Sequence, residues 1–400
     1  MDKQYKITLL SPVHIGSGEK FCKDIDYFSD EKKGTFLIDL EKFFETLSVS
    51  QINTLTNSEN VISFMDREGI NKWDFIKKKI NYQKVHASEI IRHIKDCFER
   101  PYIPGSSLKG ALRTVIAQHI FKEENLPFEC TGNRKEWAYK EMSEKIFGKD
   151  HNHDFLKGFI VVDAPFNGSD LALHLTKVFT LQRDRGLSVK LRQKDNPRSE
   201  MQIYGEFLKE KASSQVKTKI DDFFFKPSVM EKLDKINQNR KNALLNIREI
   251  ANKYARERIQ DELTFYSGQK DLEPISRFYQ DLLNRMEACK GNGFLLNIGW
   301  GTGWNFKTGN WINEKNLDEV RRTFRIGKMI KRCPSNHEGK DLEFRSGGKF
   351  YCTRCQKEYD ENKHSKPFKP FPKSRKILFD RFDRNGKPFS IPGWVMLTEV

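Results

Sequence analysis

The sequence predicts an α+β protein in which a sheet core carries large, mainly helical insertions. Two observations lead there. Short segments of strand character lie far apart along the chain, and the stretches between them are long, charged and helical in spacing. With 400 residues, 37% of them hydrophobic, the chain can bury a large core and hold two or three domains.

Taken in order, Tyr5 to Leu10 alternates apolar and polar side chains as a strand does. The turn-rich "SPVHIGSG" follows, and "GTFLIDLEKFFETL" reads as a strand running into a helix. Residues 49–100 are polar with helical spacing and are expected to form a helical insertion. "PYIPGSSLKGALRTVIAQHIF" is strand end, loop and helix, and 122–157 is a charged insertion. "GFIVVDAPF" and "LALHLTKVFTLQR" predict two strands of one central sheet. Residues 183–291 begin as a basic loop and become helical, as in "ALLNIREIANKYARERI". "NGFLLNIGWGTGW" is a strand and a glycine-rich turn, and "GWVMLTEV" a last strand. Residues 332–364 form a cysteine-containing insertion, leading into "KHSKPFKPFPKSRK", whose prolines exclude regular helix. The core is thus expected from 1–48, 101–121, 158–182, 292–331 and 365–400.

The net charge of +16 points to a polyanionic partner. No stretch approaches the roughly 20 apolar residues of a membrane span, and the first residues lack the apolar segment of a signal peptide. Seven cysteines, scattered except for one cluster, suit free thiols in a reducing cytoplasm rather than a disulfide framework.

The stretch "YIPGSSLKGALRT" places a strand-to-helix junction where a phosphate would suit it. Ser106 is expected to cap the helix, leaving unpaired N–H groups and the positive end of the helix dipole at the first turn. Lys109 and Arg113, four residues apart, project from one face. Two further glycine-rich turns, "HIGSG" and "GWGTGW", leave backbone N–H groups open to a sugar-phosphate chain. Trp300 and Trp304 suit either base stacking or core packing. Neither turn fits a nucleotide-binding fingerprint.

Together "LLSPVHIGSGEKF", "YIPGSSLKGALRT", "GWGTGWNFKTG" and the closing "FPKSRKILFD…GWVML" resemble the RAMP superfamily of CRISPR proteins. Their order resembles one branch, the backbone-type subunit that caps the crRNA 3′ end in type III-A (Csm) effector complexes. The resemblance implies a ferredoxin-like, RRM-type core that holds guide RNA. It also implies a non-catalytic role in crRNA maturation and antiviral defence, with crRNA, other Csm subunits and target RNA as candidate partners. On this likeness His14, Gly16, Ser17 and Gly18 fall in the first glycine loop. Ser106, Ser107, Lys109 and Arg113 fall in the strand-to-helix RNA-contact motif, and Gly299, Gly301 and Gly303 in the late glycine loop.

Three basic runs add sequence-independent phosphate affinity: 183–198, which includes Arg183 and Arg185, then 321–332, and the Lys/Phe-rich 363–376. Cys333, His337, Cys352 and Cys355 make a Cys₃His set suited to structural Zn²⁺, with His364 as a rival fourth ligand. Asp24 and Asp26, just past "HIGSG", offer the alternative of a metal-dependent endoribonuclease. Their spacing equally fits the polar face of an ordinary strand.

Overall fold

In the computed structural model, the described residues are 2–127, 140–182, 186–189, 200–232, 237–289, 291–306, 314–361, 363–369, 371–383 and 385–400. They fold as a mixed α+β protein built on two main sheets. The first sheet has five strands in the order Gly293–Asn297, Trp394–Glu399, Asp2–Leu9, Ser213–Ile220, Phe159–Val161, all neighbours antiparallel. Alternation along the first strand puts Tyr5, Ile7 and Leu9 on its buried face. The helices Gly105–Glu123 and Ile247–Tyr266 pack against this sheet and each other. The former contributes Leu108, Leu112, Val115 and Ile116 to the core. Asn252 fastens the latter to the edge strand: Nδ2 donates to the Gly293 carbonyl at 2.9 Å, and Oδ1 accepts the Leu295 N–H at 3.2 Å.

The second sheet runs Gly16–Cys22, Glu89–His93, Gln202–Leu208, Leu171–Gln182, Ser374–Phe379, Pro388–Ser390. Only the pairing of Glu89–His93 with Gln202–Leu208 is parallel along this path. The chain passes from Asp2–Leu9 in one sheet to Gly16–Cys22 in the other, so the first part of "SPVHIGSG" links the two sheets, while Gly16, Ser17 and Gly18, expected in a turn, begin the second strand.

Several elements differ from the sequence expectation. The stretch 49–100 is only half helical: after Val49–Thr56 and Val61–Arg67 come the strands Ile76–Asn81 and Glu89–His93. Tyr27–Asp30 and Gly34–Ile38, expected in the core, pair with each other, and Gly34–Ile38 pairs in turn with Ile76–Asn81. They share a separate small core built on Phe28, Phe36, Phe43, Phe64 and Phe75. Within 183–291, Gln202–Leu208 and Ser213–Ile220 are interior strands of the two sheets. Phe159–Val161 and Leu171–Gln182 lie in different sheets, not one. In the Pro/Lys-rich stretch after the cysteine-containing insertion, Ser365–Pro367 pairs with Met329–Lys331, and Phe368 is buried. Among the described residues no helix is long and apolar enough to cross a membrane.

A buried ion pair ties helices to the second sheet. Arg375 Nε donates to Glu262 at 2.6 Å, with the two side chains 12% and 1% exposed. The guanidinium also lies 3.9 Å from the Phe265 ring centroid and donates to the Pro372 carbonyl at 2.7 Å. Removing one partner of such a pair strands the other charge in apolar surroundings. Glu262→Ala is therefore expected to destabilise the protein by about 3–5 kcal/mol in chemical denaturation; a loss under about 1 kcal/mol would assign the pair no structural role.

Candidate nucleic-acid interface

The first and late glycine loops touch through their backbones. The Trp300 N–H donates to the His14 carbonyl at 2.8 Å. Gly299 makes this approach possible: its φ is +79°, and a Cβ there would stand 2.4 Å from the same carbonyl oxygen. Trp300 is half-buried, edge-on to His14 at 6.0 Å between centroids, with the Lys376 ammonium 4.9 Å from its ring. Gly301 and Gly303 also take positive φ, 93° and 78°.

A buried polar node holds the loops from beneath. His14 is 1% exposed and its Nδ1 lies 2.6 Å from the Glu206 carbonyl. A carbonyl only accepts, so Nδ1 carries the proton. His93 Nδ1 accepts the Ile15 N–H at 3.2 Å, which leaves Nε2 to donate to the Tyr102 carbonyl at 3.2 Å. His93 thus joins the "HIGSG" loop to the first residue of "YIPGSS". The Glu206 carboxylate accepts the His93 N–H at 3.2 Å and is met by the Lys95 ammonium at 3.1 Å, both side chains buried. Burial pushes the His93 pKa down to about 3 and lowers that of His14, so both rings are neutral. His14 is therefore a support inside the protein and offers no surface for RNA. The exposed members of its loop are Gly16, Ser17 and Gly18, with Ser17 Oγ donating to the Arg92 carbonyl at 3.3 Å.

The strand-to-helix motif corrects two expectations. The N-cap of Gly105–Glu123 is Pro104, and Ser106 makes no capping bond. Instead the Asp163 carboxylate accepts the Gly105 N–H at 2.7 Å. Gly105 must be glycine, because a Cβ would stand 2.0 Å from the Val161 carbonyl oxygen. Ser106 is exposed and Ser107 half-buried. Arg113 turns away from solvent: it pairs with Asp154, hydrogen-bonds Ser143 at 3.3 Å and stacks 3.6 Å from the Phe147 centroid. Lys109 is half-buried, and burial lowers its pKa. Arg321, in the second basic run, is likewise consumed: it donates to the carbonyls of Ile326, Lys328 and Phe368 and stacks 4.2 Å from the Phe371 centroid. Arg183 and Arg185 lie outside the described residues.

Asp24 and Asp26 lie in a turn, not on a strand. The Asp26 carboxylate accepts the Cys22 N–H at 2.7 Å, and Asp24, at φ 62°, pairs with Lys23 at 3.8 Å. The Asp26 carboxylate thus serves the turn itself.

The cysteine cluster assembles as a group that could hold a metal ion. The ligand atoms of Cys333, His337, Cys352 and Cys355 lie within 4.8 Å of one another. His337 Nδ1 is 3.4, 3.4 and 3.3 Å from the three Sγ atoms, and Cys333 Sγ is 3.6 Å from Cys355 Sγ. Tetrahedral Zn–S bonds of about 2.3 Å and Zn–N of about 2.0 Å give ligand separations of roughly 3.5–3.8 Å, so the donor set fits that ion. His364 stands outside the group, its ring 5.1 Å from that of Tyr359. The module's own buried cluster is only Cys333, Phe350 and Cys352.

The RAMP superfamily profile matches residues 6–307, and the chain belongs to that superfamily. It is 26% identical over 339 residues to the CRISPR system Cms protein Csm5 of Methanocaldococcus jannaschii, covering 78% of this chain and 75% of that protein. It is 32% identical over 146 residues to the protein of the same name from Streptococcus thermophilus, covering 31% of this chain and 40% of that one. Among solved structures, it superposes with a TM-score of 0.64, at 19% identity, on a chain of the "Csm-crRNA-target RNA ternary complex in type III-A CRISPR-Cas system". That match covers 99% of this chain and 100% of the other. The crystal structure of T. onnurineus Csm5 matches at a TM-score of 0.50 and 16% identity, over 98% of this chain and 99% of that one.

The node has a pH signature. His93 binds a proton less readily folded, at about pH 3, than unfolded, at about 6.5. The unfolded state therefore takes up the proton first, and stability falls as pH drops through that window, by up to about 1.4 kcal/mol per pH unit. His93→Asn, which can accept and donate in place of the ring, is expected to flatten this fall in denaturant titrations between pH 6.5 and 4. An unchanged slope would place the uptake elsewhere.

Proposed function

We propose that this chain is a non-catalytic, guide-RNA-binding subunit of a type III-A CRISPR effector complex, similar in place to Csm5, and that it covers the 3′ end of the crRNA. The observation that carries this reading is the contact between the two glycine loops, Trp300 N–H on the His14 carbonyl. It brings together motifs almost three hundred residues apart in sequence, with Gly16, Ser17 and Gly18 exposed and Gly299, Gly301 and Gly303 half-buried beside them. Open N–H groups at such turns suit a sugar-phosphate chain, and the +16 charge favours it. The ferredoxin-like assignment rests on the first sheet. Trp394–Glu399, Asp2–Leu9, Ser213–Ile220 and Phe159–Val161 lie side by side in that order, and the helices Gly105–Glu123 and Ile247–Tyr266 each follow one of those strands. The partners are crRNA, the neighbouring Csm subunits and, along the guide, target RNA.

The chain's contribution is to bind and orient RNA. Ser17, Gly18, Ser106, Ser107 and Lys109 meet phosphates, while His14 and Arg113 hold those residues in place. Zn²⁺ in the Cys₃His set would supply the cohesion that so small a buried cluster lacks.

Reconstitution of the effector with and without this subunit, followed by mapping of the protected RNA, tests the reading. Omission is expected to shorten protection from the 3′ side only, and in the complete complex the crRNA stays uncut in Mg²⁺ whether or not Asp24 and Asp26 are replaced by Ala. Loss at the 5′ side, or products that vanish on Asp→Ala, would overturn it. Lys109→Ala is expected to weaken RNA binding and flatten its log–log salt dependence by about one unit, whereas Arg113→Ala should chiefly lower stability. Elemental analysis is expected to find about one zinc per chain, and chelation to make residues 332–364 protease-sensitive while sparing both sheets. Zinc-free protein with a protease-resistant insertion would remove the metal from the reading.

A further inference from the structure

A tight turn grows directly from the node and presents an aromatic ring to solvent. Beyond His93 the chain leaves the second sheet, and Lys95 pairs back with Pro101. Between them the Asp96 carboxylate accepts three bonds: the Phe98 N–H at 2.9 Å, the Arg100 N–H at 2.9 Å and Arg100 Nε at 2.8 Å. The Asp96 N–H donates to the Arg100 carbonyl at 2.9 Å. Glu99, at φ 59°, makes the reversal. At the tip of this closed turn Phe98 is 74% exposed, with the Arg100 guanidinium 5.1 Å from its ring centroid.

The turn abuts the first glycine loop. Gly16 pairs with His93 in the sheet, and Ser17 donates to the Arg92 carbonyl. Arg92 in turn pairs with Glu19 at 2.6 Å and with Glu99 at 3.7 Å. The charges here largely neutralise one another: Arg92 with Glu19 and Glu99, Lys95 with Glu206 and Glu99, Arg100 with Asp96. What the tip offers is therefore a ring rather than a charge, held by a turn that needs no ordering on binding.

We propose that Phe98 is a base-stacking residue: it receives one unpaired nucleobase of the RNA strand whose phosphates lie on the adjacent glycine loop. This rests on the RNA-binding reading above. A rigid, exposed aromatic next to the exposed Gly16, Ser17 and Gly18 can take the base of a single strand without regard to sequence, because every base has a π-face, while the backbone of the strand lies alongside. Because the ring carries no net charge, its contribution is insensitive to salt, unlike that of Lys109.

The test uses the full-length protein and a fluorescein-labelled, mixed-sequence single-stranded RNA in anisotropy titrations across salt. Phe98→Ala is expected to weaken binding by roughly 5- to 150-fold with the salt slope unchanged. Phe98→Trp should keep wild-type affinity, and Phe98→Leu should lose most of it despite keeping an apolar side chain. RNA carrying 4-thiouridine should crosslink at Phe98 in the wild type. If the wild type binds RNA and Phe98→Ala binds it equally well, the proposal is wrong while RNA binding stands. The same holds if Phe98→Ala binds RNA normally but no longer joins the other subunits, which would make the tip a protein contact. If the wild type binds no RNA at all, the underlying reading fails and this one with it.

Discussion

The geometry of the candidate interface hangs on one buried residue, Glu206. Its carbonyl takes the proton-bearing nitrogen of His14, and its carboxylate takes the His93 N–H and the Lys95 ammonium. His93 passes the connection on to Tyr102, and His14 passes it to Trp300. Three motifs distant in sequence thereby acquire fixed positions relative to one another. Buried polar networks are costly unless every member is satisfied. Here each imidazole has a partner that dictates its tautomer, and the buried carboxylate has its cation. The loops above can stay thin and glycine-rich because stiffness comes from below.

The motifs themselves were legible in the sequence; how they are held was not. Glycine-rich segments next to strands are a local signal, and "HIGSG", "YIPGSS" and "GWGTGW" all lie next to strands, although Gly16, Ser17 and Gly18 themselves belong to one. The residue types in them misled where long-range partners intervene. Arg113 looked like a phosphate ligand until Asp154 and Phe147 claimed it, and Ser106 like a helix cap until Asp163 did. None of these three partners lies within the helix that carries Ser106 and Arg113, so no local pattern reveals them. His93, Lys95 and Glu206 escaped notice because "EIIRHIKD" and "QIYGEFL" are strands too short to show a clear period of two. They also sit inside stretches dominated by charge. The helical run 237–288 was legible because its apolar spacing persists over many turns.

The insertions follow a common physical logic. The unit around Phe28, Phe43 and Phe64 has aromatic residues enough for its own core. The cysteine module has a far smaller one, and there Cys333, His337, Cys352 and Cys355 gather as a group that could hold a metal ion. Both leave the two sheets uninterrupted.

Hydrogen exchange read by mass spectrometry, with and without guide RNA, tests the dependence of the three loops on Glu206 most directly. In the wild type, RNA should slow exchange in residues 14–18, 102–107 and 299–303 together, at one RNA concentration. In Glu206→Ala all three should exchange faster before RNA is added, and their protection should no longer rise together. Protection confined to one loop in the wild type, or unchanged exchange in two of the three loops of the variant, would contradict the shared support.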